Sequence, residues 1–166
     1  MTTDKTLDSC AVLFVCLGNI CRSPTAHGVF AEKVRCLGLE NRVQVDSAGT
    51  AAYHAGSAPD PRSSEVARSR GYDLSRLRAR QAVSEDFHQF DYILAMDESN
   101  LRNLQAIAPV GAKAALRLFL DFDRSQPVRE VPDPYYGGEQ GFTEVLDLVE
   151  AAADGLLTEI RSRLKG

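Results

Sequence analysis

No stretch of this 166-residue chain is apolar for long enough to cross a bilayer; the longest strongly apolar run covers residues 11–17 and has no cationic leader ahead of it. A membrane location is therefore not expected, and the cytoplasm is the default. Positive charge is also in short supply. A formal net charge of −4 offers no long-range attraction to nucleic acid or anionic lipid, so any anion site has to be built locally. No cysteine follows Cys36, and the four present, Cys10, Cys16, Cys21 and Cys36, crowd the first quarter of the chain. They cannot staple the remainder, which argues against a secreted disulfide framework. A zinc site lacks its ligands too, because Cys16 and Cys21 have no second pair and no neighbouring histidine pair. Neither metal nor cofactor is expected. Internal repeats, low-complexity segments and linkers are absent as well.

What is present is ordinary globular composition, 44% hydrophobic and 25% charged, over a length that suits one core. Residues 1–10 read as a loose polar tail and 11–166 as one domain. Residues 11–16 (AVLFVC) are continuously apolar and rich in β-branched and aromatic side chains, the pattern of a strand buried on both faces. Further strands are expected over 42–47, 92–96 and 116–120, and helices from Ser23-Pro24 to about Leu37, over 62–70, from Ser84, over 98–107 and over 139–164. Strands alternating with helices imply a single-domain α/β sandwich, a four-stranded and mostly parallel sheet flanked by helices on both faces. Ligands in such folds sit beyond the carboxyl ends of the strands, so the loop after the first strand is the place to look.

That loop, Cys16-Leu17-Gly18-Asn19-Ile20-Cys21-Arg22-Ser23, runs from a buried strand into a helix N-terminus. Its backbone N–H groups and the positive end of the helix dipole make an anion cradle. Gly18 and Asn19 are residue types that tolerate a left-handed backbone. At the mouth of the cradle, Cys16 is expected as a thiolate nucleophile beneath a bound phosphate, with Arg22 gripping two phosphate oxygens. Ser23 is placed to donate a hydrogen bond to the sulfur. A Walker-type nucleotide loop is excluded, since no Gly-Lys-Ser/Thr follows a glycine spacing here.

The stretch VLFVCLGNICRSP resembles the signature of the low-molecular-weight protein tyrosine phosphatases, a Cys, five residues, then Arg and Ser. The resemblance continues through Asp46-Ser47-Ala48-Gly49, Pro59-Asp60-Pro61-Arg62, Ala79-Arg80-Gln81 and Asp133-Pro134-Tyr135-Tyr136. It implies hydrolysis of phosphotyrosine in protein substrates through a cysteinyl-phosphate, without metal or cofactor, by a chain for which a monomer is the default. Taken alone, Asp133 before Pro134 reads as a turn former; the resemblance makes it the general acid, since loss of a phenolate of pKa about 10 needs a delivered proton. It further implies Tyr53, Tyr135 and Tyr136 as the substrate rim, Ser47 as loop support beside Asn19 and Ser23, and Cys21 as a redox partner that traps oxidised Cys16. Leu77 stands where relatives often carry a His, leaving one bond of that support in question. Asp97 reads as a helix cap, to which the resemblance adds a supporting place behind the site, outside the catalytic set; His27, His54 and His88 read as surface or satisfied side chains, His54 near the rim only as the neighbour of Tyr53.

Three other readings compete. Arsenate reduction on this fold needs downstream cysteines, which are missing. Protein-arginine phosphatases resemble this loop but carry Thr where Ile20 stands. A silent phosphopeptide-binding module would need neither a nucleophile nor an acid.

Overall fold

The computed structural model describes residues 6–125, 127–135 and 137–166. Four strands, β1 (Cys10–Cys16), β2 (Val43–Gly49), β3 (Tyr92–Ala95) and β4 (Ala115–Leu118), form one fully parallel sheet in the order β2-β1-β3-β4. Helices α1 (Arg22–Cys36), α2 (Pro61–Ser69), α3 (Asp86–Gln89), α4 (Glu98–Ile107) and α5 (Glu139–Arg163) cover it.

The continuous apolar run in β1 has a direct cause. Side chains alternate across a strand, so Val12, Phe14 and Cys16 enter the core formed with α1 and α5, while Ala11, Leu13 and Val15 enter a second core against α3 and α4. Every residue of β1 is buried. Phe14 packs edge-on against Phe30 at 5.7 Å and Phe119 at 5.0 Å. Burial of one such ring contributes about 1.5–3 kcal/mol.

The chain passes from β1 through α1 to β2 on one side, then crosses back to β3 on the other. The loops after β1 and β3 therefore diverge, leaving a crevice at the carboxyl end of β1, the switch point where α/β sheets bind ligands.

Boundaries differ from expectation in four places. The N-terminal tail is not loose from Leu7 onward: Leu7 N–H donates to the Arg163 carbonyl at 2.8 Å, Lys165 N–H returns to the Leu7 carbonyl at 2.9 Å, and Cys10 already belongs to β1. Partnering by the end of α5, invisible to local pattern, orders that segment. β2 runs on to Gly49 because Cys16 and Gly49 remain in register. Phe119 and Leu120 lie in a 3₁₀ turn, Phe119–Phe122, rather than in β4. Finally, α1 starts at Arg22, so Ser23 lies inside the helix and caps nothing; its hydroxyl is engaged elsewhere.

Candidate active site

β1 delivers Cys16 to the carboxyl end of the sheet at 3% exposure, and the chain then curls through Leu17–Cys21 into α1. The curl turns at Asn19, whose φ of 58° is the one positive value among the described non-glycine residues. Asparagine tolerates that conformation when its side chain is held, and here both ends are used: Oδ1 accepts from Arg80 N–H at 3.0 Å and Nδ2 donates to Ser23 Oγ at 2.8 Å. Gly18, expected to share the left-handed backbone, does not. It is needed for space, because a Cβ there would come 2.9 Å from Cδ2 of His54. Gly49 has the same role behind the loop, where a Cβ would meet the Leu17 carbonyl oxygen at 2.7 Å.

The loop's carbonyls are drawn outward. Thr50, Ala51 and Asp60 N–H groups donate to the carbonyls of Cys16, Leu17 and Ile20 at 2.9, 3.0 and 2.7 Å. Among the described residues, no acceptor engages the N–H groups of residues 17–21. Those unengaged donors, together with the start of α1, make the loop suited to cradle an anion.

Three groups converge on the cradle. Cys16 Sγ lies 3.1 Å from Ser23 Oγ, which itself lies 3.3 Å from the Ala48 carbonyl. Arg22, also 3% exposed, donates through Nη1 to Asp97 Oδ2 at 2.6 Å and to the Val131 carbonyl at 3.0 Å. Its Nη2 faces Asp133 Oδ2 at 3.6 Å. Burial works against the guanidinium charge, but Cys16 and the carboxylates Asp97 and Asp133 outweigh it, raising its pKa above the ordinary value. Asp133 projects from the Pro132-Asp133-Pro134 loop, and its Oδ1 accepts from Tyr135 N–H at 3.1 Å. The loop is anchored by Val131, whose N–H donates to the Met96 carbonyl at 2.8 Å.

Asp97 is expected as a cap, with a supporting place behind the site implied by the resemblance alone. It does cap α4, through Oδ1 and Asn100 N–H at 2.7 Å, but its other oxygen orients Arg22. The available signal was its position just beyond a buried strand; what hid the role was the strand order that sets β3 beside β1.

One pocket is lined by Cys16, Leu17, Gly18, Ile20, Cys21, Arg22, Tyr53, His54, Asp133 and Tyr135. Tyr53 borders the mouth at 77% exposure, while the ring that faces Tyr135, at 6.3 Å between centroids, is that of His54. His54 is thus a rim residue, not a bystander. Tyr136 lies outside the described residues. Arg62 braces the opposite wall, donating to the Tyr135 carbonyl at 3.0 Å with its guanidinium 5.5 Å from that ring's centre.

Among the described residues, no hydrogen bond joins Ser47 to Asn19 or Ser23. Its hydroxyl pairs with His27 Nδ1 at 3.0 Å, so α1 supplies the partner and the apolar Leu77 leaves this hydroxyl satisfied. Burial lowers the pKa of His27 against the pull of Asp46. Cys21 lines the pocket wall as a free, buried thiol. Burial, then the charge of Asp60, pushes it up to about 12 despite a hydrogen bond with Ser63.

Known proteins resemble the chain over most of its length. The family described as low molecular weight phosphotyrosine protein phosphatase matches residues 11–165. A low molecular weight phosphotyrosine protein phosphatase of Schizosaccharomyces pombe is 50% identical over 79% of this chain and 84% of its own. A low molecular weight protein-tyrosine-phosphatase of Streptomyces coelicolor is 44% identical over 93% of this chain and 96% of its own. Among solved structures, a protein tyrosine phosphatase from Entamoeba histolytica with Hepes in the active site superposes with a TM-score of 0.88 at 43% identity, covering 92% of this chain and 97% of that one. A cysteine at the floor of an anion cradle, on a parallel sheet shared with such relatives, places the chain in one group: it belongs to the low molecular weight phosphotyrosine protein phosphatase family.

Proposed function

We propose that this phosphatase hydrolyses phosphotyrosine in protein substrates with Cys16 as nucleophile, Arg22 as phosphate clamp and Asp133 as general acid and base. The observation that carries the reading is the convergence of all three on one pocket. With the phosphoryl group in the cradle, the Cys16 sulfur attacks phosphorus and the bond to the tyrosyl oxygen breaks. Asp133 gives its proton to that oxygen. Water then attacks the cysteinyl-phosphate, returning a proton to Asp133, and the S–P bond breaks to release inorganic phosphate. Arg22 follows the equatorial oxygens throughout, and its fixed hold on Asp97 means that little reorganisation is needed. Ser23 stabilises the sulfur as it departs.

Ile20 lines the pocket and favours tyrosine over arginine substrates, since it packs against an aromatic ring but offers no hydrogen bond to a guanidino nitrogen. The rings of His54 and Tyr135, which line the same pocket, offer an aromatic surface for a flat ring to pack against. Turnover of phosphotyrosine, phosphoarginine and phosphoserine peptides, measured in chelator, tests the assignment. Phosphotyrosine should lead by about 10²-fold or more in kcat/KM; a lead for phosphoarginine would reverse it.

Redox control by Cys21 belongs to the same proposal. Peroxide converts the Cys16 thiolate to a sulfenic acid, which the Cys21 thiol attacks with loss of water to form a disulfide; a dithiol reductant restores both. Cys21→Ser should therefore recover less activity than wild type after equal peroxide exposure and reduction. Equal recovery would remove this role. Cytoplasmic residence is part of the same proposal, because four cysteines confined to the first quarter of the chain make no disulfide framework of the secreted kind.

A further inference from the structure

Behind the phosphate loop, residues 78–82 run along the carboxyl end of β2 without belonging to a strand or helix. Gly49 N–H donates to the Arg80 carbonyl and Ala82 N–H to the Gly49 carbonyl, each at 2.8 Å. The N–H of Arg80 points the other way, onto Asn19 Oδ1 at 3.0 Å.

That contact sets the direction of a hydrogen-bond relay. A backbone N–H only donates, so the Asn19 amide must present its oxygen to Arg80 and its nitrogen to Ser23. The nitrogen in turn only donates, so Ser23 Oγ accepts at 2.8 Å. The Ser23 proton is then left for Cys16 Sγ at 3.1 Å or the Ala48 carbonyl at 3.3 Å. An ionised sulfur is the stronger acceptor of the two.

The Arg80 side chain fixes where that N–H sits. Nε and Nη2 donate to Asp46 Oδ2 at 3.3 and 3.0 Å, and Nη1 and Nη2 donate to the two oxygens of Asp86 at 3.1 Å each. Asp46 belongs to β2 and the buried Asp86 to α3, so a single planar fork ties this segment both to the sheet and to the helix beside it. We propose that Arg80 is a positioning residue for the nucleophile: clamped by Asp46 and Asp86, it orients Asn19 so that Ser23 donates to the Cys16 sulfur. The proposal rests on Cys16 as the nucleophile.

Arg80→Lys keeps the charge but loses the fork. Alkylation of Cys16 by iodoacetamide, followed by mass analysis of the Cys16 peptide, reads the sulfur directly. The Lys variant should react about tenfold more slowly than wild type at the same pH, because its sulfur loses the hydrogen bond that favours the thiolate. With p-nitrophenyl phosphate, kcat should fall while KM changes little. In an Asn19→Ala background, Arg80→Lys should add no further loss, because the relay is already cut. Asp46→Asn leaves the buried Asp86 paired and should show the same defect at smaller amplitude, which keeps the test open if the Lys variant unfolds. Wild-type alkylation in both variants, or an equal loss with and without Asn19, would overturn the proposal. Absence of phosphotyrosine turnover by the wild type would instead overturn the assigned function, since alkylation reports on the thiol whether or not the enzyme turns over.

Discussion

Replacing Cys16 by serine should abolish phosphotyrosine turnover, by about 10⁴-fold or more, while the protein still binds inorganic phosphate. The change removes the ionisable sulfur and little else. Cys16 ends β1 in full register with Gly49, its carbonyl is taken by Thr50 N–H at 2.9 Å, and the unengaged N–H groups of the cradle do not depend on its side chain. A serine hydroxyl at this place stays protonated near neutral pH and is a poor nucleophile toward phosphorus. Stopped turnover measured beside a phosphate titration by calorimetry separates the two functions of the loop. A Cys16→Ser enzyme retaining a tenth of wild-type activity would rule out the cysteinyl-phosphate route.

The second large effect is expected at Asp133. Asp133→Asn should slow a phosphotyrosine peptide by roughly 10²–10⁴-fold. The loss should be smaller for p-nitrophenyl phosphate, whose leaving group is already acidic. The geometry makes this a clean chemical test. An Asn side-chain oxygen can still accept from Tyr135 N–H, Val131 still anchors the loop, and Arg22 keeps its 2.6 Å contact with Asp97. What disappears is the proton donor. An equal loss for acidic and basic leaving groups would show that Asp133 acts by holding the loop or Arg22, not by proton transfer.

These two expectations differ in how visible their residues are in the sequence. Cys16, Arg22 and Ser23 sit in one short loop whose flanks announce themselves, an apolar run buried on both faces and a Pro-bearing helix start. Asp133 lies far along the chain and takes meaning only from its resemblance and from the anchor at Val131. Asp97 and Arg80 are further removed still. Locally Asp97 reads as a helix cap and Arg80 only as part of the Ala79-Arg80-Gln81 resemblance, and each reaches the site through a neighbour that the chain does not place beside it.

Local chemistry therefore determined the parts that depend on nearest neighbours: a strand with no polar face, the end of α1 at Gly38 with its φ of 70°, the cap of α4 by Asp97, and an anion loop between strand and helix. The physical reason is that periodicity, capping and turn chemistry act within a few residues. Tertiary structure decided the rest. Strand order sets β3 beside β1 and so gives Arg22 its partner in Asp97; packing sets the His54 ring opposite Tyr135, where sequence offered only its nearness to Tyr53; and Asn19, held by Arg80, leaves the Ser23 proton for Cys16, the acceptor that the loop itself suggests. Contacts between segments far apart in the chain carry no periodicity of their own, and they exist only once the two cores have closed on either side of β1.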